Sequence, residues 1–496
     1  MGRFQPPSDF RPSAEYRLLP FRFRRFYASR VLLVNEIGEH AVLHSEQFQA
    51  FVRHEMDADD PAYPLLESRH FLSPGDAALP LDRMALQYRS RKRFLFEGPK
   101  LHIFVVTLRC HHSCRYCQVS RRPDTAAHRF DMSLEIAEQA IQHVLEAPSS
   151  HPTVEFQGGE PLLAFDTIRH IVERLDAAAT QRGKTFRYVI TSTLHDLDDE
   201  CLEFMRRHGI VLSTSLDGPE SLHNRNRPTP GQDSHAQTLA GLARARAVLG
   251  DGAVSALTTV TRRSLADPKP IIEEYRRQGF HSIFLRPLSP YGFASKQGDT
   301  LGYDTFEFLA FYRAALDYLI EINLAGYAMD EVYASLLLRS IWTPFSSGYV
   351  DLRSPAGAGF GTLLYNYDGG VYPSDEARML AEMRDDSLRL GHVSDSYSDL
   401  MQSPVMQLIA TGGVAESIPH CSDCAYLPYC GSDPVDSHAR QGDVIGHRPS
   451  SAFCSRHMGM LDLLFEKLLC GDPDEMRVLR SWAAGRPSLA DLELGG

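Results

Sequence analysis

Between residues 99 and 290 short apolar runs alternate with segments of helical spacing, and this constrains the fold more than any other feature of the chain. LHIFVVTL (101–108), TVEFQ (153–157), FRYVITST (186–193), IVLSTSL (210–216), VSALTTV (254–260) and SIFLRPL (282–288) read as strands. Helices lie between them. Ser133 opens one that carries Leu134, Ala137, Ile141 and Val144, and Ile168, Ile171, Val172 and Leu175 mark the next. Six β–α alternations imply a parallel sheet. A flat doubly wound sheet and an incomplete barrel both satisfy the pattern.

The flanks differ in texture. Residues 1–98 read as an N-terminal strand–strand–helix module. Phe21, Phe23, Phe26 and Tyr27 interleave with Arg22, Arg24 and Arg25, as on a strand with one buried face. VLLVNEIGEHAVLHS (31–45) reads as a hairpin turning at Asn35–Gly38, and Ser45 as the cap of a short helix with Phe48 and Phe51 on one face. Residues 99–303 form the β–α core, and 304–345 are helical, bridging it to a loop-rich region over 346–470. A last amphipathic helix at 458–469 precedes a polar tail, 471–496.

Composition excludes several classes. Hydrophobic residues at 43% and charged residues at 23% are those of a globular chain, not a disordered one. No apolar run approaches roughly 18 residues, so no membrane span is expected. The N-terminus lacks an apolar signal region, which points to a cytoplasmic protein. The net charge of −12 argues against a nucleic-acid partner. Residues 1–30 run against it, with a local balance of +5. Nine cysteines in 496 residues are too few for a disulfide scaffold and read as reduced thiols or metal ligands.

Seven of those cysteines fall in two groups. Cys110, Cys114 and Cys117, spaced x3 and x2, directly follow the first core strand. Three thiolates suit a [4Fe–4S] cluster with one open iron, or zinc if His111 or His112 supplies a fourth ligand. Cys421, Cys424, Cys430 and the distant Cys454 make a complete four-thiolate site for zinc or [4Fe–4S]. Cys201 and Cys470 stand alone on helices and read as packing residues. At the end of the second strand sits Gly158-Gly159-Glu160-Pro161. The two glycines allow a ligand close to the backbone, and Glu160 can accept from an ammonium group.

This pairing of a C-x3-C-x2-C loop, with Tyr116 before the third cysteine, and a GGEP strand end resembles the radical S-adenosylmethionine (radical SAM) superfamily. The resemblance implies a partial (β/α)6 barrel. It also implies that Cys110, Cys114 and Cys117 hold a [4Fe–4S] cluster whose open iron chelates SAM. Gly158, Gly159, Glu160 and Pro161 would lie at the SAM amino group. Ser215, Asp217 and Arg227, with His223, resemble the family's fourth-strand segment near SAM. The second group resembles the SPASM/twitch extension. Here Ser354, Ser374 and Pro434 stand where three inner-cluster cysteines would be, so one auxiliary [4Fe–4S] cluster is implied. Asp375 follows Ser374 and carries over as the candidate general base.

VLLVNEIGEH, MALQYRSRKRFL, FLRPLSPYGFA and YNYDGGVYPSDEARML narrow the resemblance to the His-Xaa-Ser system radical SAM maturases, B-type subunit. That implies oxidative modification of a ribosomally synthesised precursor peptide, a companion maturase subunit, and a flavodoxin- or ferredoxin-type electron donor. The N-terminal module would take a peptide leader as an added strand, with its positive charge attracting an acidic one. Two alternatives stand beside this: a sulfatase maturase forming formylglycine, and a zinc-stabilised DNA- or protein-binding module.

Overall fold

The computed structural model of the protein describes residues 15–26, 29–126, 128–296 and 298–485. Tyr27 and the end of the expected tail lie outside the described residues.

The N-terminal strands β1 (Phe21–Phe26), β2 (Arg30–Asn35) and β3 (His40–His44) form an antiparallel sheet in that order. Asn35 closes the β2–β3 turn: its Oδ1 accepts from Ile37 N at 3.2 Å and Glu39 N at 3.0 Å. Gly38 takes φ +83°, a conformation that costs a glycine little. Helix α1 (Ser45–Val52) buries Phe48 and Phe51 against the sheet. Its cap position falls at His44, one residue before the expected Ser45. β1 does not bury a single aromatic face. Phe23 is 47% exposed, and Phe26 shares its side of the strand with Arg22 and Arg24.

The core follows in regular alternation: β4 (Leu101–Thr107), α2 (Leu134–Glu146), β5 (Thr153–Gly158), α3 (Phe165–Arg182), β6 (Arg187–Thr191), α4 (Asp199–His208), β7 (Val211–Ser215), α5 (Ser234–Leu249), β8 (Val254–Thr259), α6 (Lys269–Arg277) and β9 (Ser282–Arg286). Ser133 caps α2, its Oγ accepting from Ile136 N at 3.2 Å. The six strands are parallel neighbours in chain order. Their apolar side chains and those of the helices make one core, with Phe104, Phe156 and Ile190 fully buried. This is the partial barrel, not a doubly wound sheet, whose strand order would reverse about its first strand.

The helical stretch expected over 304–345 consists of two helices, α7 (Thr305–Leu324) and α8 (Val332–Trp342). Asn323 ends the first, its Nδ2 donating to Leu319 O and Met329 O at 2.7 and 2.6 Å. The chain then returns to the sheet as β10 (Asp330–Glu331), parallel to β9. Glu331 is fully buried there and accepts from Ala334 N at 2.7 Å, Leu285 N at 3.2 Å and the Tyr312 hydroxyl. Burial pushes its carboxyl up to about 7. A raised folded-state value means the native state holds a proton that the unfolded chain releases. This group's stabilisation is therefore present below the ordinary glutamate range and lost as pH rises towards 7. Glu331→Gln is expected to flatten the fall in unfolding free energy between pH 5 and 7 by at most about 1.4 kcal/mol per pH unit. Urea titrations of both proteins across that range check this; parallel slopes would contradict it.

The region beyond 346 begins as part of the barrel sheet. β11 (Thr362–Tyr365) pairs parallel with β4, and β12 (Gly370–Tyr372) and β13 (Gly391–His392) continue antiparallel. The ten-stranded sheet runs β10-β9-β8-β7-β6-β5-β4-β11-β12-β13 and stays open at both edges. Helices α9 (Asp375–Glu382), α10 (Pro434–Gln441) and α11 (Ala452–Cys470) lie in this region. The expected polar tail contains α12 (Pro473–Ala484), an amphipathic helix that buries Val478, Leu479 and Trp482 against α8. Cys201 is buried, as a packing role requires, but Cys470 is exposed. No helix of the described residues is long and apolar enough to cross a membrane.

Candidate active site

The last residues of the core strands, Gly158, Thr191, Ser215, Thr259 and Arg286, line one cavity of about 220 Å³ together with Cys110, Cys114 and Cys117. The C-terminal end of a parallel barrel collects functional groups because each strand there gives way to a free loop. Burial, and the thiols' mutual proximity, raise Cys114 to about 11 and Cys110 well above the ordinary range. Without a metal these thiols keep their protons. A bound cation reverses that, since a coordinating thiol is deprotonated outright. Three soft donors and no disulfide fit an iron–sulfur cluster.

The cysteine loop is fastened from behind. Ser113 N donates to Pro228 O and Arg115 N to Asn226 O, both at 2.9 Å. The Tyr116 hydroxyl donates to Asp217 Oδ1 at 3.0 Å and accepts from Arg227 Nη1 at 2.9 Å. All three residues are buried. Although burial alone lowers it, the Arg227 pKa stands well above its ordinary value beside Cys114, Tyr116 and Asp217. Tyr116, Ser215 and Arg227 therefore reach the cavity, while Asp217 sits behind Tyr116 as its anchor. His112, weighed with His111 as a fourth zinc ligand, lines the cavity, but one ring nitrogen of each is taken up by a neighbour. His112 Nε2 lies 3.2 Å from His195, and His111 Nδ1 lies 3.3 Å from Asp196 Oδ2.

The GGEP segment has a packing role beside the ligand role expected of it. A Cβ on Gly158 would fall 1.9 Å from Thr107 O, and one on Gly159 2.2 Å from Arg109 O. The glycines let β5 approach the β4 backbone, with Gly159 N and Glu160 N each donating across at 2.8 Å. Glu160 is not a free acceptor. Its buried carboxylate accepts from Ser192 Oγ at 2.8 Å, Thr193 N at 2.7 Å, Thr193 Oγ1 at 2.6 Å and Leu162 N at 3.2 Å. It ties the ends of β5 and β6 together. Glu160 and Pro161 support the cavity, whereas Gly158 and Gly159 line it. Gly159→Ala must push backbone against backbone, so loss of about 2–4 kcal/mol is expected by chemical denaturation. A change under 0.5 kcal/mol would contradict the packing role.

A second cavity of about 330 Å³ continues from the first, sharing Glu155, Gln157, Arg286 and Asp375 with it. Asp375 opens α9, capped by Ser374 Oγ accepting from Ala377 N at 3.3 Å. Asp351, Glu376 and Asp433 line the far part, and burial together with neighbouring carboxylates raises all three. These residues, like Arg286 and His195, were not singled out from the sequence. Their spacing carries no local pattern, although Glu376 adjoins the Ser374–Asp375 pair.

Cys421, Cys424, Cys430 and Cys454 line a separate cavity of about 340 Å³. Burial pushes Cys421 up to about 11 and raises the other three. Three positions where further thiols would stand do other work. Ser354 Oγ accepts from Ala415 N at 2.9 Å and bonds Glu416, Ser374 caps α9, and Pro434 starts α10. The N-terminal arginines are spent here too. Arg24 grips Asp462 of α11 with two bonds of 2.7 and 2.6 Å and lies over the Tyr426 ring, while Arg22 bonds Ser422 O. The expected attraction for an acidic leader thus loses two of its charges to the second cysteine site.

Residues 104–274 match the radical SAM superfamily, and the chain carries a radical SAM domain. It is 24% identical over 295 residues to the cysteine-type anaerobic sulfatase-maturating enzyme of Clostridium perfringens, covering 58% of this chain and 75% of that one. The solved structure of native anSMEcpe with bound AdoMet has a TM-score of 0.61 at 18% identity, covering 75% of this chain and 98% of its own. Streptococcus suis SuiB, solved bound to precursor peptide SuiA, has a TM-score of 0.53 at 13% identity and covers 88% and 99%. The match to the radical SAM superfamily, not a zinc-binding module, accounts for residues 104–274.

Proposed function

We propose that the protein is a radical SAM oxidoreductase that modifies a ribosomally synthesised precursor peptide. The observation that carries this reading is the continuity of two cavities: three thiols face one, Asp375 faces both, and the second has room for a side chain. Cys110, Cys114 and Cys117 would hold a [4Fe–4S] cluster with one iron open to SAM. The cluster and SAM supply a 5′-deoxyadenosyl radical able to abstract a substrate hydrogen. Tyr116 and Arg227 fix the loop, Gly158 and Gly159 form the floor, and Ser215 with Thr191 offers hydroxyls to SAM. Asp375 would accept the substrate proton. The enclosed strand ends exclude water, which protects a radical from side reactions.

Cys421, Cys424, Cys430 and Cys454 would hold one auxiliary [4Fe–4S] cluster. Four protein thiolates leave no iron open, so its roles are electron acceptance and support of the surrounding loops. A new crosslink removes two hydrogens, and the second electron needs such an acceptor. The leader would add to β3, a free edge of the N-terminal sheet that borders a groove with Leu468 and Leu469. The reading includes a cytoplasmic location, a companion subunit and a flavodoxin- or ferredoxin-type donor, within a His-Xaa-Ser type system. Formylglycine formation is the second reading, favoured by the Clostridium relative. Co-expression with a His- and Ser-rich peptide encoded beside the gene, followed by mass spectrometry, tests the assignment. A peptide lighter by two hydrogens and newly crosslinked on fragmentation is expected. An unmodified peptide, or conversion of a lone Ser or Cys to formylglycine, would contradict it.

A further inference from the structure

We propose that the second cavity is a subsite for a cationic side chain of the peptide, a lysine ammonium or an arginine guanidinium. This rests on the peptide reading above and names the substrate chemistry. Six carboxylates and three guanidiniums line the cavity. Asp436 is paired with Arg440 at 2.8 Å, and Glu155 is held by Gln157 and Thr191 at 2.8 and 2.9 Å. That leaves Asp351, Asp375, Glu376 and Asp433 in no ion pair among the described residues, facing Arg286 and Arg456. Four carboxyls, Asp375 and Glu376 among them hydrogen-bonded to each other, against two guanidiniums in an enclosed site are destabilised as anions by mutual repulsion and lost hydration. Either protons or a bound cation must relieve that. The upward shifts of Asp351, Glu376 and Asp433 are the proton solution in the empty cavity.

An independent observation points to a ligand. Tyr291 lines the same cavity, is only 3% exposed, and its hydroxyl has no hydrogen-bond partner among the described residues. A buried hydroxyl left unpaired is costly, and a group bound in the cavity would complete it. Its neighbours are Asp433, Glu376 and Asp436. The oxygen accepts one hydrogen bond, and an ammonium has three to donate, two of them to carboxylates. An anionic side chain would find Arg286 and Arg456, but would meet the larger set of carboxylates at the same time. The cavity joins the thiol-lined one at Asp375, so an occupant would be held beside the reacting centre rather than at a remote docking surface.

The test uses the anaerobically reconstituted full chain with SAM and three blocked pentapeptides, Ala-Ala-X-Ala-Ala, where X is lysine, norleucine or glutamate. Calorimetry is expected to show the lysine peptide bound at least about tenfold tighter than norleucine, with a preference that shrinks as salt is raised. The double variant E376Q/D433N is expected to erase the preference while SAM binding is unchanged. Both substitutions are near-isosteric, and asparagine can still cap α10. If the double variant fails to fold, E376Q alone and the salt dependence of the natural protein carry the test. Equal affinity for lysine and norleucine, tighter binding of glutamate, or no binding of any of the three overturns the proposal. A chain that prefers lysine in this way yet cleaves no SAM would overturn the radical reading and leave the cation subsite standing.

Discussion

Replacing Cys110, Cys114 and Cys117 together by alanine is expected to abolish reductive cleavage of SAM to 5′-deoxyadenosine, with nothing above the enzyme-free background. No other described thiol lines that cavity, and the nearby imidazoles of His111 and His112 are paired with Asp196 and His195. The second cysteine site lies in a different cavity and shares no residue with the first. The variant should therefore still fold and keep about four irons and their colour. Chromatographic detection of the nucleoside after dithionite reduction checks this. Continued formation by the triple variant would show that SAM is activated elsewhere.

The second large effect is on stability. Arg227→Met is expected to cost about 3–5 kcal/mol, because it removes one member of a buried charged set and strands the others. Arg227 donates to the Tyr116 hydroxyl, which in turn donates to Asp217, and all three are buried, so little water is at hand to replace the lost bond. Asp217 Oδ2 already lacks a hydrogen-bond partner among the described residues. Loss of Arg227 also frees the segment that pins Ser113 and Arg115, so iron content at the first site should fall with stability. Denaturant midpoints and iron assay of the same samples check both. A stable variant with full iron would mean that Arg227 merely fills space.

Much of this was legible in the chain, and the reasons are local. Core strands such as LHIFVVTL are buried on both faces, so they stand out as continuous apolar runs. The three cysteines of the first site fall within eight residues, and Ser133 announces its helix by capping it. What was not legible joins distant residues. Arg24 meets Asp462 across 438 positions, and no spacing rule connects them. Strand β12 has three residues, too few to show a period of two, so the extension of the barrel sheet by β11 and β12 was read as loop. The packing work of the GGEP residues was likewise hidden in the sequence. Only the fold shows that the missing Cβ atoms make room for Thr107 and Arg109, and that Glu160 clasps the next strand. The acidic cavity likewise assembles Asp351, Asp375, Glu376 and Asp433 from separate turns and helix starts.

The central claim is that one chain holds two thiolate sites of different kinds, one of three cysteines and open, the other of four and closed. Metal and sulfide analysis of anaerobically purified full-length protein tests it most directly. The account predicts about eight irons per chain with matching sulfide, four at each site, and no stoichiometric zinc. A reproducible count of about twelve irons would mean that Ser354, Ser374 or Pro434 had been misjudged, and zinc at about one per chain would remove iron–sulfur chemistry from one of the sites.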